Sequence, residues 1–89
     1  MKKYMIVMTE DRHVTVRCGD NEVDMNVVES IDVKIGTFDE VEEQVPYYTN
    51  SYEETQRFYE LLSEHGRNTT VDTPYPGEPY YKTITVQEI

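Results

Sequence analysis

Three groups of side chains in this 89-residue chain have the composition of a chemical site. Asp20, Glu22 and Asp24 alternate like the opening of a calcium-binding loop. Counted from Asp20, such a loop needs glycine at its sixth position and a bidentate glutamate at its twelfth. This chain has Met25 and Ile31 there, so the carboxylates read as a solvated turn. His13 and His65, the only two histidines, have no spaced set of cysteines or carboxylates around them. A zinc site needs three or four ligands at recognisable spacing. His65 suits a helix C-terminus, where a cation is favoured, and His13 suits an exposed strand position. Cys18 is the single cysteine, which excludes an intrachain disulfide and points to a reducing compartment. It shares strand parity with Val14 and Val16, which places it on the expected core face, where a thiol is inert. No metal and no cofactor is expected. No carboxylate pair has a spacing that marks it as acid and base, so the chain is expected not to be an enzyme. Asn68-Thr69-Thr70 matches a glycosylation acceptor, expected to be unused without a secretory signal.

The strongest signal is electrostatic. Of the formal charge of −10, the stretch from Asp20 to Glu64 carries thirteen acids against two bases, Lys34 and Arg57. The remaining residues carry five acids and six bases, so the acidity belongs to the middle of the chain. Direct binding of nucleic acid is disfavoured, because affinity there rests on Lys and Arg neutralising phosphates, and an anionic membrane is disfavoured for the same reason. Asp39, Glu40, Glu42 and Glu43 place four carboxylates in five residues. The helix dipole favours acids in a first turn by about 0.3–1 kcal/mol each, which accounts for Asp39 and Glu40 but not for all four. The plainer account of the block is a solvated face. Eight tyrosines stand beside it, with Tyr47, Tyr48, Tyr75, Tyr80 and Tyr81 flanking loops. Tyrosine offers a large rigid contact with a polar tip, although adjacent pairs can also cap a small core with one ring in and one out.

These residues need elements to position them. Ser51 and Glu54 form a capping box, and Gly66 suits a left-handed helix end. Between them Thr55, Phe58, Tyr59 and Leu62 recur at helical spacing, with Leu61 widening the stripe. Glu53, Arg57, Glu60 and Glu64 fall opposite. The pattern predicts an amphipathic helix over residues 51–65. Thr37 and Glu40 suggest a second capping box, opening a short helix with Phe38, Val41 and Val45 inward and Pro46 ending it. Upstream, Lys3 to Met8 reads as a buried strand, Thr9–Arg12 as a turn and His13 to Cys18 as an alternating strand, together an N-terminal hairpin. Gly19-Asp20-Asn21 is a turn. From Glu22 to Thr37 the apolar parity of Val23, Met25, Val27, Ile31, Val33 and Ile35 is interrupted by Glu29. One bulged strand or two strands joined near Val28-Glu29-Ser30 fits, and two strands are favoured. Arg67 to Thr73 reads as irregular, Pro74 to Pro79 as a stiff turn-rich stretch, and Tyr80 to Ile89 as a closing strand beside the first.

The expected fold is a single α+β domain: an antiparallel sheet of four to five strands with the 51–65 helix on one face. The five apolar residues Tyr4 to Met8 are too few for a signal peptide or a membrane span, and a cytoplasmic protein is expected. The expected function is a small acidic protein-binding module that meets a basic surface of a nucleic-acid-binding protein, as an inhibitor or nucleic-acid-mimic decoy of phage or mobile-element type. The contacts would come from Asp39, Glu40, Glu42, Glu43, Tyr47, Tyr48, Glu53, Glu60 and Glu64. Glu53 to Glu64 spans about 16 Å of helix, against roughly five phosphates along one DNA strand, so mimicry needs the other acids on the same surface. The alternatives are a self-assembling structural or accessory protein, a homo-oligomer joined by tyrosines and a sheet edge, and a weak binder of divalent cations.

Overall fold

The computed structural model describes residues 2–73 and 77–89. Four strands form one antiparallel sheet: β1 (Tyr4–Cys18), β2 (Asn21–Gly36), β3 (Arg67–Asp72) and β4 (Tyr80–Glu88), in the spatial order β2-β1-β4-β3. Two α-helices, α1 (Phe38–Gln44) and α2 (Tyr52–His65), lie between β2 and β3 in sequence, with a 3₁₀ turn over Val45–Tyr48 joining them. Both helices lie on one side of the sheet, giving the α+β architecture of the sequence reading. The expected placement of the last strand beside the first is observed, with β1 in an inner position.

The core is small and lies under the helices. Tyr4 and Ile6 from β1, Ile84 and Val86 from β4, Val41 from α1, Val45, and Phe58 and Leu62 from α2 form one buried cluster. Even-numbered β1 residues face the helices and odd-numbered ones face the bare side of the sheet. The helix α2 forms as its sequence specifies. The Ser51 hydroxyl accepts from the Glu54 backbone N–H at 3.2 Å, and Gly66 closes the helix in the left-handed region at φ 73°. The Glu54 carboxylate reaches one residue beyond the cap and accepts from the Asn50 backbone N–H at 2.9 Å.

Several local expectations are corrected. Residues 9–12 are not a turn: β1 runs unbroken from Tyr4 to Cys18, and the N-terminal hairpin turns at Gly19-Asp20 instead. Glu10 and Asp11 are half-buried there and lie opposite Lys82 and Tyr81 of β4. Residues 21–36 form one strand and not two, with a register shift between Glu10 and Asp11 that leaves Glu29 unpaired in the ladder. Glu29 instead meets Arg12 at 2.9 Å. Thr37 sits at the N-cap of α1 but makes no side-chain cap hydrogen bond. Its expected capping partner, Glu40, is drawn away to Lys34 at 2.8 Å. Residues Arg67–Asp72, expected to be irregular, are a strand held by β4. Cys18 is exposed and not on a core face, because the helices do not extend over the end of β1. The expected Pro74-Tyr75-Pro76 stretch lies outside the described residues.

The bulge at Glu29 changes which side of the sheet the apolar residues of β2 occupy. Before it in the ladder, Ile35, Val33 and Ile31 pair with Met5, Val7 and Thr9 on the bare side. Beyond it, Val27, Met25 and Val23 pair with Arg12, Val14 and Val16 on the helix side. One extra residue reverses the parity of everything that follows. The pairing of β1 with β4 ends at Arg12, so from His13 to Cys18 the sheet narrows to a two-stranded arm, and the molecule measures 55 × 25 × 20 Å. No helix among the described residues is long and apolar enough to cross a membrane.

Candidate functional site

The acidic block lies on α1, which is short and held by one face. Val41 is fully buried, and Phe38 packs its ring 5.9 Å from Tyr4 and 5.3 Å from Tyr59. Asp39, Glu42 and Glu43 are left exposed. Glu40 behaves differently. Its carboxylate lies over Gly36, where an added Cβ would stand 2.5 Å from the carboxyl carbon, and meets the Lys34 ammonium. The hydrogen bond and charge of Glu40 raise the Lys34 pKa above its ordinary value. Glu40 is therefore engaged internally, while its three neighbours on α1 are not.

The two tyrosines that follow divide in the same way. Tyr47 is 69% exposed. Tyr48 is half-buried, with the Lys82 ammonium 5.0 Å from its ring centre, and that ammonium donates to the Tyr47 carbonyl at 3.1 Å. Burial, then the charges of Glu10 and Asp32, push the Tyr48 hydroxyl above the usual tyrosine range. On α2, Glu53, Glu60 and Glu64 stand within about 40° of one another around the helix axis, on the side away from the core. Arg57 lies among them and bonds Glu60 at 3.3 Å.

Two open grooves flank α2. One lies toward α1 and is lined by Glu42, Pro46, Tyr52, Gln56 and Tyr59 among others. Burial first, and then Glu42, raise the Tyr59 pKa. The other lies toward β3 and includes Glu53, Glu54, Arg57, Leu61 and Val71. The α1 acids thus adjoin α2 through the first groove, whereas Glu53, Glu60 and Glu64 form a separate outward row. Asp20, Glu22 and Asp24 are placed at the far end of the β1–β2 arm, remote from both. There Asp24 accepts from the Thr15 hydroxyl at 2.7 Å, and His13 pairs with Asn26 at 3.0 Å. His65 is exposed at the end of α2, 4.0 Å from Glu64. Among the described residues no group of three His, Cys, Asp or Glu side chains could hold a metal ion.

Sequence patterning missed a second surface. Ile31, Val33 and Ile35 of β2 are 63%, 56% and 61% exposed on the bare side of the sheet, beside half-buried Met5 and Val7. Their alternation looks like that of a core strand. The available signal was Glu29: an acid on the apolar parity marks a bulge, and a bulge means that Val23–Val27 and Ile31–Ile35 cannot share one face. Comparison with protein-family models, with curated proteins and with solved structures finds no match to this chain.

Proposed function

We propose that this chain is a small, non-enzymatic, cytoplasmic protein-binding module whose acidic helical layer engages a basic surface, of the kind a nucleic-acid-binding protein presents. One observation carries the reading. The exposed carboxylates of Asp39, Glu42, Glu43, Glu53, Glu60 and Glu64 share the two helices with a single permanent cation, Arg57. Of the nearby sheet cations, Lys34 is paired with Glu40, whereas Lys82 contacts only the neutral Tyr47 carbonyl and Tyr48 ring and keeps its charge, leaving Arg57 and Lys82 against six exposed carboxylates. The field of the layer is therefore not cancelled locally, and it would steer a cationic partner toward the helices. Tyr47 and Tyr52 stand exposed beside these acids and supply contact area that charge alone lacks. An inhibitor or decoy is the sharpest form of this reading.

Affinity capture from a lysate, with bound proteins identified at low and high salt, tests it when run beside a neutralised variant carrying Glu42→Gln, Glu43→Gln, Glu53→Gln and Glu60→Gln. Basic nucleic-acid-binding proteins should be retained by the native chain at low salt and lost from the variant. Equal retention by the two chains would remove the acidic layer as the site. A second reading, self-assembly, is favoured by a different observation, the free edge of β2.

A further inference from the structure

The outer edge of β2 carries a self-complementary address. β2 is a terminal strand and pairs with no strand other than β1 among the described residues. Its free backbone groups can be assigned. The Ile89 N–H donates to the Lys3 carbonyl and the His13 N–H to the Pro79 carbonyl, so the odd-numbered residues of β1 bond toward β4. The even-numbered ones, Tyr4, Ile6 and Met8, then bond toward Gly36, Lys34 and Asp32 of β2. The N–H and C=O groups of Ile31, Val33 and Ile35 therefore point outward, away from the sheet. An open edge of this kind is a template for another strand; here the apolar residues alternate with Asp32 and Lys34 and end at the Glu29 bulge.

We propose that two copies of the chain join through this edge, antiparallel about Val33, extending the sheet across a two-fold axis. In that register Val33 faces Val33 of the second copy, Ile31 faces its Ile35, and Asp32 faces its Lys34. The three outward residues of each copy then exchange about six backbone hydrogen bonds. The apolar pairs share the bare side of the sheet and the opposite charges share the helix side, once on each side of the axis.

Neighbouring registers are worse for named reasons. Centring on Asp32 or Lys34 sets like charges face to face. Centring on Ile31 brings the bulged Glu29 opposite Val33. Centring on Ile35 leaves Ile31 without a partner. Lys34 can serve Glu40 of its own chain and Asp32 of the second copy together, because an ammonium has three donors. The contact is isologous, so it consumes both β2 edges and closes at two copies. The sheet's other edge, β3, is shorter, spanning Arg67–Asp72.

An edge pair of this length buries less than the roughly 800 Å² per partner of a standard interface, so association is concentration-dependent. Light scattering over a concentration series should show the mass rising from 10.5 kDa toward twice that value. Single cysteines in a Cys18→Ser background then test the register. Cα atoms of hydrogen-bonded cross-strand pairs lie about 5.5 Å apart, within disulfide reach. Under mild oxidation Val33→Cys should cross-link to itself. Ile31→Cys and Ile35→Cys should each cross-link poorly alone and well when mixed. A mass of one chain at every concentration overturns the proposal, as does self-cross-linking of Ile31→Cys equal to that of Val33→Cys. Neither outcome bears on the acidic layer, whose own test neutralises carboxylates on α1 and α2 and leaves β2 unchanged.

Discussion

Between Tyr4 and Arg12, β1 has a strand on each side and helices over one face; between Val14 and Cys18, among the described residues, only β2 lies beside it. Ile6 in the first half is wholly buried, while Val16 in the second is 43% exposed, although both lie on the helix-facing parity. The cause is reach. The fourteen residues of α2 span about 21 Å at 1.5 Å per residue, whereas the fifteen of β1 extend roughly 50 Å at 3.3 Å per residue. The helical layer, with α1 toward β1 and α2 toward β3, ends well short of that length. Alternation in a sequence fixes which face a residue takes, and the length of whatever packs on that face decides whether the residue is buried.

The most direct way to break this contrast is to truncate one apolar side chain in each half. Ile6→Ala should destabilise the fold by about 2–5 kcal/mol, the range for deleting a buried isoleucine. Val16→Ala should fall within about 0.5 kcal/mol of the native chain, as surface changes do. Urea unfolding of the two variants measures both. Equal losses would mean that the arm is packed in solution.

A smaller effect separates the two helices. Ser51→Ala removes the hydroxyl that caps α2 and should cost about 0.5–2 kcal/mol. Thr37→Ala should cost little, because its hydroxyl makes no cap bond at α1. Thermal unfolding of the two variants compares them, and a comparable drop in both would show that Thr37 caps α1 after all.

The difference between these helices also shows what the sequence could encode legibly. Ser51, Glu54, Gly66 and the Thr55–Phe58–Leu62 stripe act within a few residues of one another, so α2 could be bounded from local chemistry alone. Thr37 and Glu40 have the same local spelling. The box fails there because Lys34, which pairs across the sheet with Ile6 and so faces the helices, reaches Glu40 first. Residues 9–12 and 67–72 depart from their local pattern for a related reason: their polarity suggests turns or irregular chain, but strands β2 and β4 supply hydrogen bonds that no local pattern records. The acids of the candidate site were visible as composition. Their division into engaged Glu40, exposed α1 acids, an outward α2 row and the distant arm depended on tertiary placement.

Amide exchange sharpens the comparison without any substitution. In β2 the N–H groups of Asp32 and Lys34 bond to β1 and should exchange slowly, while those of Ile31, Val33 and Ile35 point outward and should exchange quickly in dilute solution. Arm residues from Val14 to Met25 should exchange faster than Ile6 or Ile84, since among the described residues only two strands protect them. At high concentration, protection gained at Ile31, Val33 and Ile35 alone would locate the edge contact. Uniform exchange along β2 would contradict the assigned ladder.

The smallest effect concerns alkaline pH, and it belongs to the body alone. Tyr48 and Tyr59 both have pKa values raised above the ordinary 10.0, chiefly by burial, and Lys34 is raised above 10.5 by Glu40. A raised value means that the folded state keeps its proton where the unfolded chain has lost it. The corresponding stability is complete below pH 10.0 and declines as pH rises from there through the folded-state values. The midpoint of urea unfolding should therefore fall between neutral pH and pH above 10.0, and the fall should be shallower in Tyr48→Phe and Tyr59→Phe, which have no phenolate to form. The arm between His13 and Met25 contains no tyrosine and no lysine. Amide exchange of the arm, once corrected for its ordinary acceleration with pH, should show no extra loss of protection over the range in which Ile6 and Ile84 begin to open. If the arm loosens first, the alkaline response does not originate at the tyrosines under the helices.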